Sequence, residues 1–243
     1  MEHLAFKLTS GPSVSPSPLS SVLSRLRSDG GSVVFDLDST LLDNRPRQAK
    51  IMCEFGTSIG VQDFCAVRPS HFESWDLGAA ARNAGVPSEV VEAHAGELRR
   101  FWRARFFTSP YCRFDVVVPG APEFVSAVAS LGRVIYLTGR PPEMLTGTQE
   151  SLVRLGFPAP DVGSTVLLLK PDAGMHDDVW KERAVELASK LGPVVAAFDN
   201  EPTHINGYRQ AWPNALCVRV ATDHSGRPVP LAPGILEVGS FVR

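Results

Sequence analysis

Along this chain, short apolar runs alternate with longer amphipathic stretches. "SVVF" (32–35), "RVIYL" (133–137), "STVLLL" (164–169), "PVVAAF" (193–198) and "ALCVRV" (215–220) are short, rich in β-branched residues and nearly unbroken by polar side chains. That pattern suits parallel strands covered on both faces. Between them, "APEFVSAVASLG", "PPEMLTGTQESLVRLG", "DDVWKERAVELASKLG" and "EPTHINGYRQAW" carry apolar residues at helical spacing. Repeated strand–helix–strand units predict an α/β class, with an open parallel sheet and right-handed crossovers.

Two segments break the alternation. Residues 46–117 contain no convincing buried strand and read as a helical insert, a small second domain placed just after the first strand. Its clearest helix is "PSEVVEAHAGELRRFWRARFF", with Val91, Ala95, Leu98, Trp102 and Phe106 expected along one face. Arg100, Arg103 and Arg105 on the same helix either form a solvated face or line a cleft for an anion. The other break is the N-terminus, where "TSGPSVSPSPLSS" is too rich in Ser and Pro to bury much. A flexible segment over 1–28 is expected, although "PLSSVLSRLRSDGG" has the makings of a short helix ending at Gly30 and Gly31. The core is then expected over 29–45 and 118–243.

Composition narrows the partners. A formal net charge of −2 over 243 residues gives no sign of a polyanion-binding surface, so nucleic acid is not an expected partner. The four cysteines, Cys53, Cys65, Cys112 and Cys217, make no CxxC pair, and the six histidines do not fall at metal-ligand spacing. Neither a zinc site nor a disulfide framework is expected. No run approaches the roughly 20 apolar residues of a membrane span, and no apolar leader is evident, so the reading is a cytoplasmic protein without a membrane partner.

Chemistry concentrates where the strands end, because ligands of open α/β sheets bind beyond the carboxyl ends of strands. The first strand runs into Asp36-Leu37-Asp38-Ser39-Thr40, the next into Thr138-Gly139-Arg140, and "PVVAAF" into Asp199-Asn200-Glu201. Two carboxylates at alternate positions on a buried strand end cost stability unless a cation or a proton offsets them. A calcium loop is excluded: an EF-hand needs Gly and Glu where this stretch has Leu41 and Arg47. Asp43 and Asn44 read as the turn of a small hairpin beside the site, without a catalytic role.

The ordered set "DLDST", "LTGR", a lysine on the helix before the last acidic strand, and "FDNE" resembles the four motifs of the haloacid dehalogenase superfamily, from about Val33 to Val220. The resemblance implies a Rossmann-like core and makes the 46–117 insert a helical cap of the C1 type. It implies Mg²⁺ held by the Asp36 carboxylate, the Asp38 main-chain carbonyl and Asp199. It also implies that Asp36 is the nucleophile, Asp38 the proton donor and acceptor, and Thr138 a phosphate-binding residue, with Thr40, Gly139 and Arg140 beside the substrate. Among the lysines before Asp199, Lys181 suits the family's placement better than Lys170 in "LLLKPD", while Lys190 falls at the far end of its helix. The chain departs from the family at the last motif: Asn200 and Glu201 stand where many relatives have a second aspartate, so either is a candidate to complete the metal shell.

These residues imply a phosphatase acting on a small phosphorylated substrate through an aspartyl-phosphate. The acid retained at Asp38 argues against a dehalogenase, since halide leaves without a proton. A phosphotransferase, a nucleotide or polynucleotide phosphatase, and a non-catalytic binding module are the alternatives.

Overall fold

The computed structural model describes residues 17–242. Its strands are β1 (Ser32–Phe35), β2 (Leu42–Asp43), β3 (Val116–Val117), β4 (Arg133–Thr138), β5 (Thr165–Leu169), β6 (Val194–Asp199), β7 (Leu216–Val220) and β8 (Leu236–Val238). Six of them form one sheet in the order β5-β4-β1-β6-β7-β8, every neighbouring pair parallel. All five expected strands are present. The sixth, β8, is short and half exposed, so it carries no buried apolar run that would mark it in the sequence.

The helices are α1 (Pro18–Asp29), α2 (Arg45–Ile59), α3 (Leu77–Asn83), α4 (Ser88–Phe106), α5 (Ala121–Ala129), α6 (Leu145–Arg154), α7 (Asp177–Lys190) and α8 (Pro202–Ala211). Successive residues of a strand face opposite sides, and β1 shows how this makes three layers. Val33 and Phe35 join a core with α1 and α5, whereas Val34 joins a second core with Trp180, Ala184 and Ala188 of α7 and Ile205 and Tyr208 of α8. Among the described residues, no helix is long and apolar enough to cross a membrane.

The expected flexible segment over 1–28 needs correction. Residues 1–16 lie outside the described residues, but Pro18–Asp29 is a helix, capped by the Ser17 hydroxyl and ended at Gly30, that buries Leu19, Val22, Leu23 and Leu26 in the first core. Its four apolar positions recur at helical spacing, enough to hold the segment once α5 and the sheet supply a partner surface.

The insert is built as a separate unit. β2 and β3 pair antiparallel, Leu42 with Val117 and Asp43 with Val116, so the chain leaves and re-enters the core side by side. Between them, Met52 and Phe55 of α2, Phe64, Val67, Phe72, Val86, Val91 and Leu98 enclose an apolar core of their own. The buried stripe of α4 runs through Val91, Leu98 and Phe106; Ala95, expected on it, is exposed, and Phe101 packs on the insert's core instead. Cys53 and Cys65 are joined by a disulfide, contrary to expectation; α2 and the 3-10 turn Gln62–Ala66 fold back on each other and bring together two cysteines with no motif spacing. Asp43 and Asn44 are not a hairpin turn: Asp43 lies in β2 and Asn44 precedes α2.

The buried α1 generates a direct test. Leu23→Ala should cost about 2–5 kcal/mol, as for other buried leucines, read as a lower urea midpoint with an unchanged m-value. A substitution without effect would return α1 to the status of a dispensable tail.

Candidate active site

Strand register assembles the site. Phe35 pairs with Tyr136 on one side and Phe198 on the other, so the residues that follow, Asp36, Thr138 and Asp199, emerge together at the carboxyl edge. Asp36 N–H still donates to Phe198 O at 3.0 Å. The chain then reverses through Ser39, whose φ of 62° is the left-handed region that a non-glycine residue occupies only when its surroundings hold it there. Here Ser39 Oγ donates to Asp223 Oδ2 at 3.0 Å and Ser39 N–H to Leu42 O at 2.7 Å.

Helix α7 supplies the cation. Trp180 Nε1 donates to Thr138 O at 2.8 Å and anchors the first turns of α7 on the sheet edge, which places Lys181 over the strand ends. Its three ammonium protons are all spoken for: Asp36 Oδ1 at 2.5 Å, Asp199 Oδ2 at 3.1 Å and Leu137 O at 2.9 Å. One ammonium cannot neutralise two buried carboxylates. Burial, with Asp199 adding to it, pushes the Asp36 carboxyl up to about 7 against the pull of Lys181. Burial also opposes ionisation of Asp199, but Lys181, His204 and the Glu201 N–H bring it down to about 2. This pair of oxygen donors, short of positive charge, fits a hard divalent cation such as Mg²⁺. Among the described residues no three acidic, His or Cys side chains form a ready-made metal cluster.

Asp38 stands in a different setting. Arg140 grips it with two bonds, Nε to Oδ2 at 2.8 Å and Nη2 to Oδ1 at 2.7 Å, and Arg47 adds Nη2 to Oδ1 at 2.7 Å. Both arginines also hold Asp115. Arg140 Nη2 donates to Asp115 Oδ2 at 2.8 Å; Arg47 Nη2 reaches the same oxygen at 3.3 Å, while its Nε lies 2.8 Å from Oδ1 but too far out of line to hydrogen-bond. Arg47, Arg140 and Asp115 have side chains 0–1% exposed, so two anions and two cations share one nearly dry pocket. Burial would raise the Asp38 pKa, yet Arg140 and Arg47 hold it well below the usual carboxylate range. Arg47 also donates to Phe106 O at 2.9 Å and lies 4.0 Å over that ring, tying Asp38 to the insert.

The other expected residues divide. Gly139, Arg140, Lys170, Lys181, Asn200 and Glu201 line a cavity of about 810 Å³, with Asp36, Asp38 and Asp199. Thr40 and Thr138 are fully buried and are not among its lining residues. Thr40 Oγ1 donates to Asp36 Oδ2 at 3.0 Å, and Thr138 Oγ1 accepts Arg140 N–H at 3.2 Å. Lys170 pairs with Asp177 at 2.6 Å. Asn200 turns its amide to Asp223 O, at 2.6 Å, and Glu201 accepts from Ser225 and Arg227. Neither side chain points at Lys181 or Asp36 through a hydrogen bond.

Several members of the site escaped the sequence reading. Arg47 and Asp115 carried no site assignment in the sequence, since neither ends a strand nor falls in a motif. His204, in the first turn of α8, puts Nδ1 3.6 Å from Asp199 Oδ1 and Nε2 2.9 Å from Asp178 Oδ1. Its place in the first turn of the helix that follows the Asp199 strand end was the available signal. Of the insert's arginines, Arg103 lines the cavity, whereas Arg105 stacks 3.4 Å over Phe101.

Comparison with known proteins agrees with this architecture. A haloacid dehalogenase-like family hydrolase of Streptococcus pneumoniae superposes with a TM-score of 0.50 at 14% identity, covering 87% of this chain and 89% of its own. CbbY from Rhodobacter sphaeroides, in complex with phosphate, gives 0.51 at 14% identity, covering 86% and 94%. The protein tyrosine kinase A of Mycobacterium tuberculosis gives 0.53 at 15%, covering 86% and 94%. No protein-family model and no curated relative matches the chain. The fold is haloacid dehalogenase-like, a Rossmann-like core carrying a helical cap. At these identities the likeness speaks to the fold, and the chemistry has to be argued from the site.

Two measurements follow from the buried charges. Arg47→Met strips Asp115 and Asp38 of a shared partner and should cost about 3–5 kcal/mol of unfolding free energy. In metal-free buffer, the raised Asp36 pKa means that the folded state binds a proton that the unfolded chain has already released. Stability from this group should therefore fall as pH rises from about 4 to about 7, and Asp36→Asn should flatten that slope in urea titrations.

Proposed function

We propose that the chain is a Mg²⁺-dependent phosphatase that hydrolyses a small phosphate monoester through an aspartyl-phosphate. The observation that carries this reading is the convergence of Asp36, Asp199 and Lys181 at the carboxyl edge of the sheet, inside a cavity roofed by the cap. Asp36 Oδ attacks phosphorus, the ester P–O bond breaks, and the leaving oxygen takes a proton from Asp38. Water then attacks the aspartyl-phosphate, Asp38 accepts its proton, and inorganic phosphate leaves with Asp36 restored. Asp36, Asp199 and the Asp38 carbonyl would hold Mg²⁺, which when bound offsets the phosphoryl charge. Lys181 balances the remaining negative charge, and the Gly139 main chain borders the phosphoryl position.

The residues outside that set position it. Thr40 orients the Asp36 carboxylate from behind. Arg140, with both ends of its guanidinium on Asp38 and Asp115, holds the acid rather than the substrate. While both arginines grip it, Asp38 stays ionised and cannot donate. Proton transfer therefore requires a closed-cap arrangement in which Asp38 leaves this clamp, and Arg47, on the first cap helix, links that release to cap movement.

Turnover of p-nitrophenyl phosphate should disappear with EDTA and return with Mg²⁺. With acetyl phosphate, Asp38→Asn should slow hydrolysis of the intermediate by about 10²–10⁴-fold and accumulate a label of about 80 Da on Asp36, one HPO₃ from covalent catalysis. Asp36→Asn should show no label. Label on a Ser, His or Cys would overturn the mechanism.

A further inference from the structure

The cavity has two unlike walls. The core side is polar and ends in Asp36, Asp38, Asp199 and Lys181; the cap side presents Trp75, Phe106, Phe107 and Arg103. Those aromatics are not members of the cap's own apolar core. They form a platform instead. Phe106 is buried, stacked on Trp102 at 4.4 Å, and both cavity-facing neighbours pack edge-to-face on it: Trp75 at 5.7 Å and Phe107 at 5.1 Å. Trp75 and Phe107 themselves remain half-buried, turned toward the space in front of Asp36. A pair of rings held this way has already lost its side-chain entropy, so a flat ligand meets it at little further cost.

The cations of the cavity are mostly committed. Lys170 is paired with Asp177, Arg227 with Asp178 and Glu201, Arg140 with Asp38 and Asp115, and Lys181 with Asp36 and Asp199. Among the described residues lining the cavity, Arg103 is the arginine or lysine without a carboxylate partner. One exposed arginine does not make a second phosphate site, and a leaving group with further negative charge would meet Asp177, Asp178 and Glu201 on the core wall.

Building on the phosphatase reading, we infer that the alcohol half of the substrate is uncharged and carries a planar aromatic ring, which seats against Trp75 and Phe107. A nucleobase and a single benzene ring share this chemistry. The volume of about 810 Å³ holds either beside the phosphate.

Paired substrates that differ only in the ring test this on the unaltered protein with Mg²⁺ present. Adenosine 5′-monophosphate is set against ribose 5-phosphate, and benzyl phosphate against cyclohexylmethyl phosphate, so that leaving-group basicity is nearly constant within each pair. The aromatic member should show a kcat/KM about 10-fold or more higher, the size expected of ring stacking. A preference in the adenosine pair alone assigns a nucleobase to the seat; one in the benzyl pair alone assigns a single ring; both outcomes support it. Trp75→Ala should collapse the ratio through KM, and Trp75→Phe should keep most of it. Equal efficiency within both pairs overturns the aromatic seat while leaving the phosphatase reading intact. No hydrolysis of any of the four, nor of p-nitrophenyl phosphate, overturns both.

Discussion

A single buried ammonium shared by two carboxylates is the constraint around which this molecule is arranged. Strand register brings Asp36 and Asp199 side by side at one edge of the sheet, and neither is exposed enough for water to screen the repulsion. Lys181 lies between them and uses every proton it has. The helix that carries it is accordingly pinned at both ends of its contact: Trp180 bonds the strand that ends in Thr138, and Ala184 and Ala188 let α7 lie close on the sheet. The arrangement remains one positive charge short, a deficit that a bound cation would offset.

The second charge cluster has a different purpose. Asp38, Arg140, Arg47 and Asp115 come from the loop after β1, the end of β4, the first cap helix and the segment before β3, so one network joins the core to both strands of the cap connection. Burying four charges costs more in desolvation than one ion pair returns, and such groups are tolerated when each is paired. What the network supplies is geometry: the cap cannot shift at α2 without disturbing Arg47, and Arg47 cannot move without changing the company of Asp38. The surroundings of Asp38 and the position of the cap thus share a side chain. The aromatic platform sits on the same cap, one residue from the Phe106 carbonyl that Arg47 holds.

How much of this was legible along the chain depended on the range of the interaction. Strand and helix identities follow from local periodicity, so the five expected strands and the helices expected within "APEFVSAVASLG", "PPEMLTGTQESLVRLG", "DDVWKERAVELASKLG", "EPTHINGYRQAW" and "PSEVVEAHAGELRRFWRARFF" could be read directly, with ends that differ by a few residues. Asp36 and Asp199 were legible because parallel strands must end on one edge, and a polar residue that ends a buried strand has nowhere else to be; Lys181, on α7, came from the resemblance in motif order. The edge strand β8, half exposed, offered no such pattern.

What only the tertiary structure decided are the pairings between residues far apart in sequence. Nothing local distinguishes Arg47 from the exposed arginines of the cap, or Asp115 from a surface acid; they are set apart by a partner 68 positions away on the other side of the cap connection. The same holds for the burial of α1, a helix the sequence itself offered, and for Cys53 and Cys65, which meet through a turn rather than a motif. Thr40 and Thr138 fall in recognisable motifs, but the backbone turns them behind the carboxylates they accompany. The sequence by itself determined the sheet, the edge and the carboxylates that end its strands, because these depend on backbone periodicity and strand direction. Which charges neutralise which was decided by packing, because Coulomb interactions in a buried site follow distance in space and desolvation, neither of which is written in sequence order.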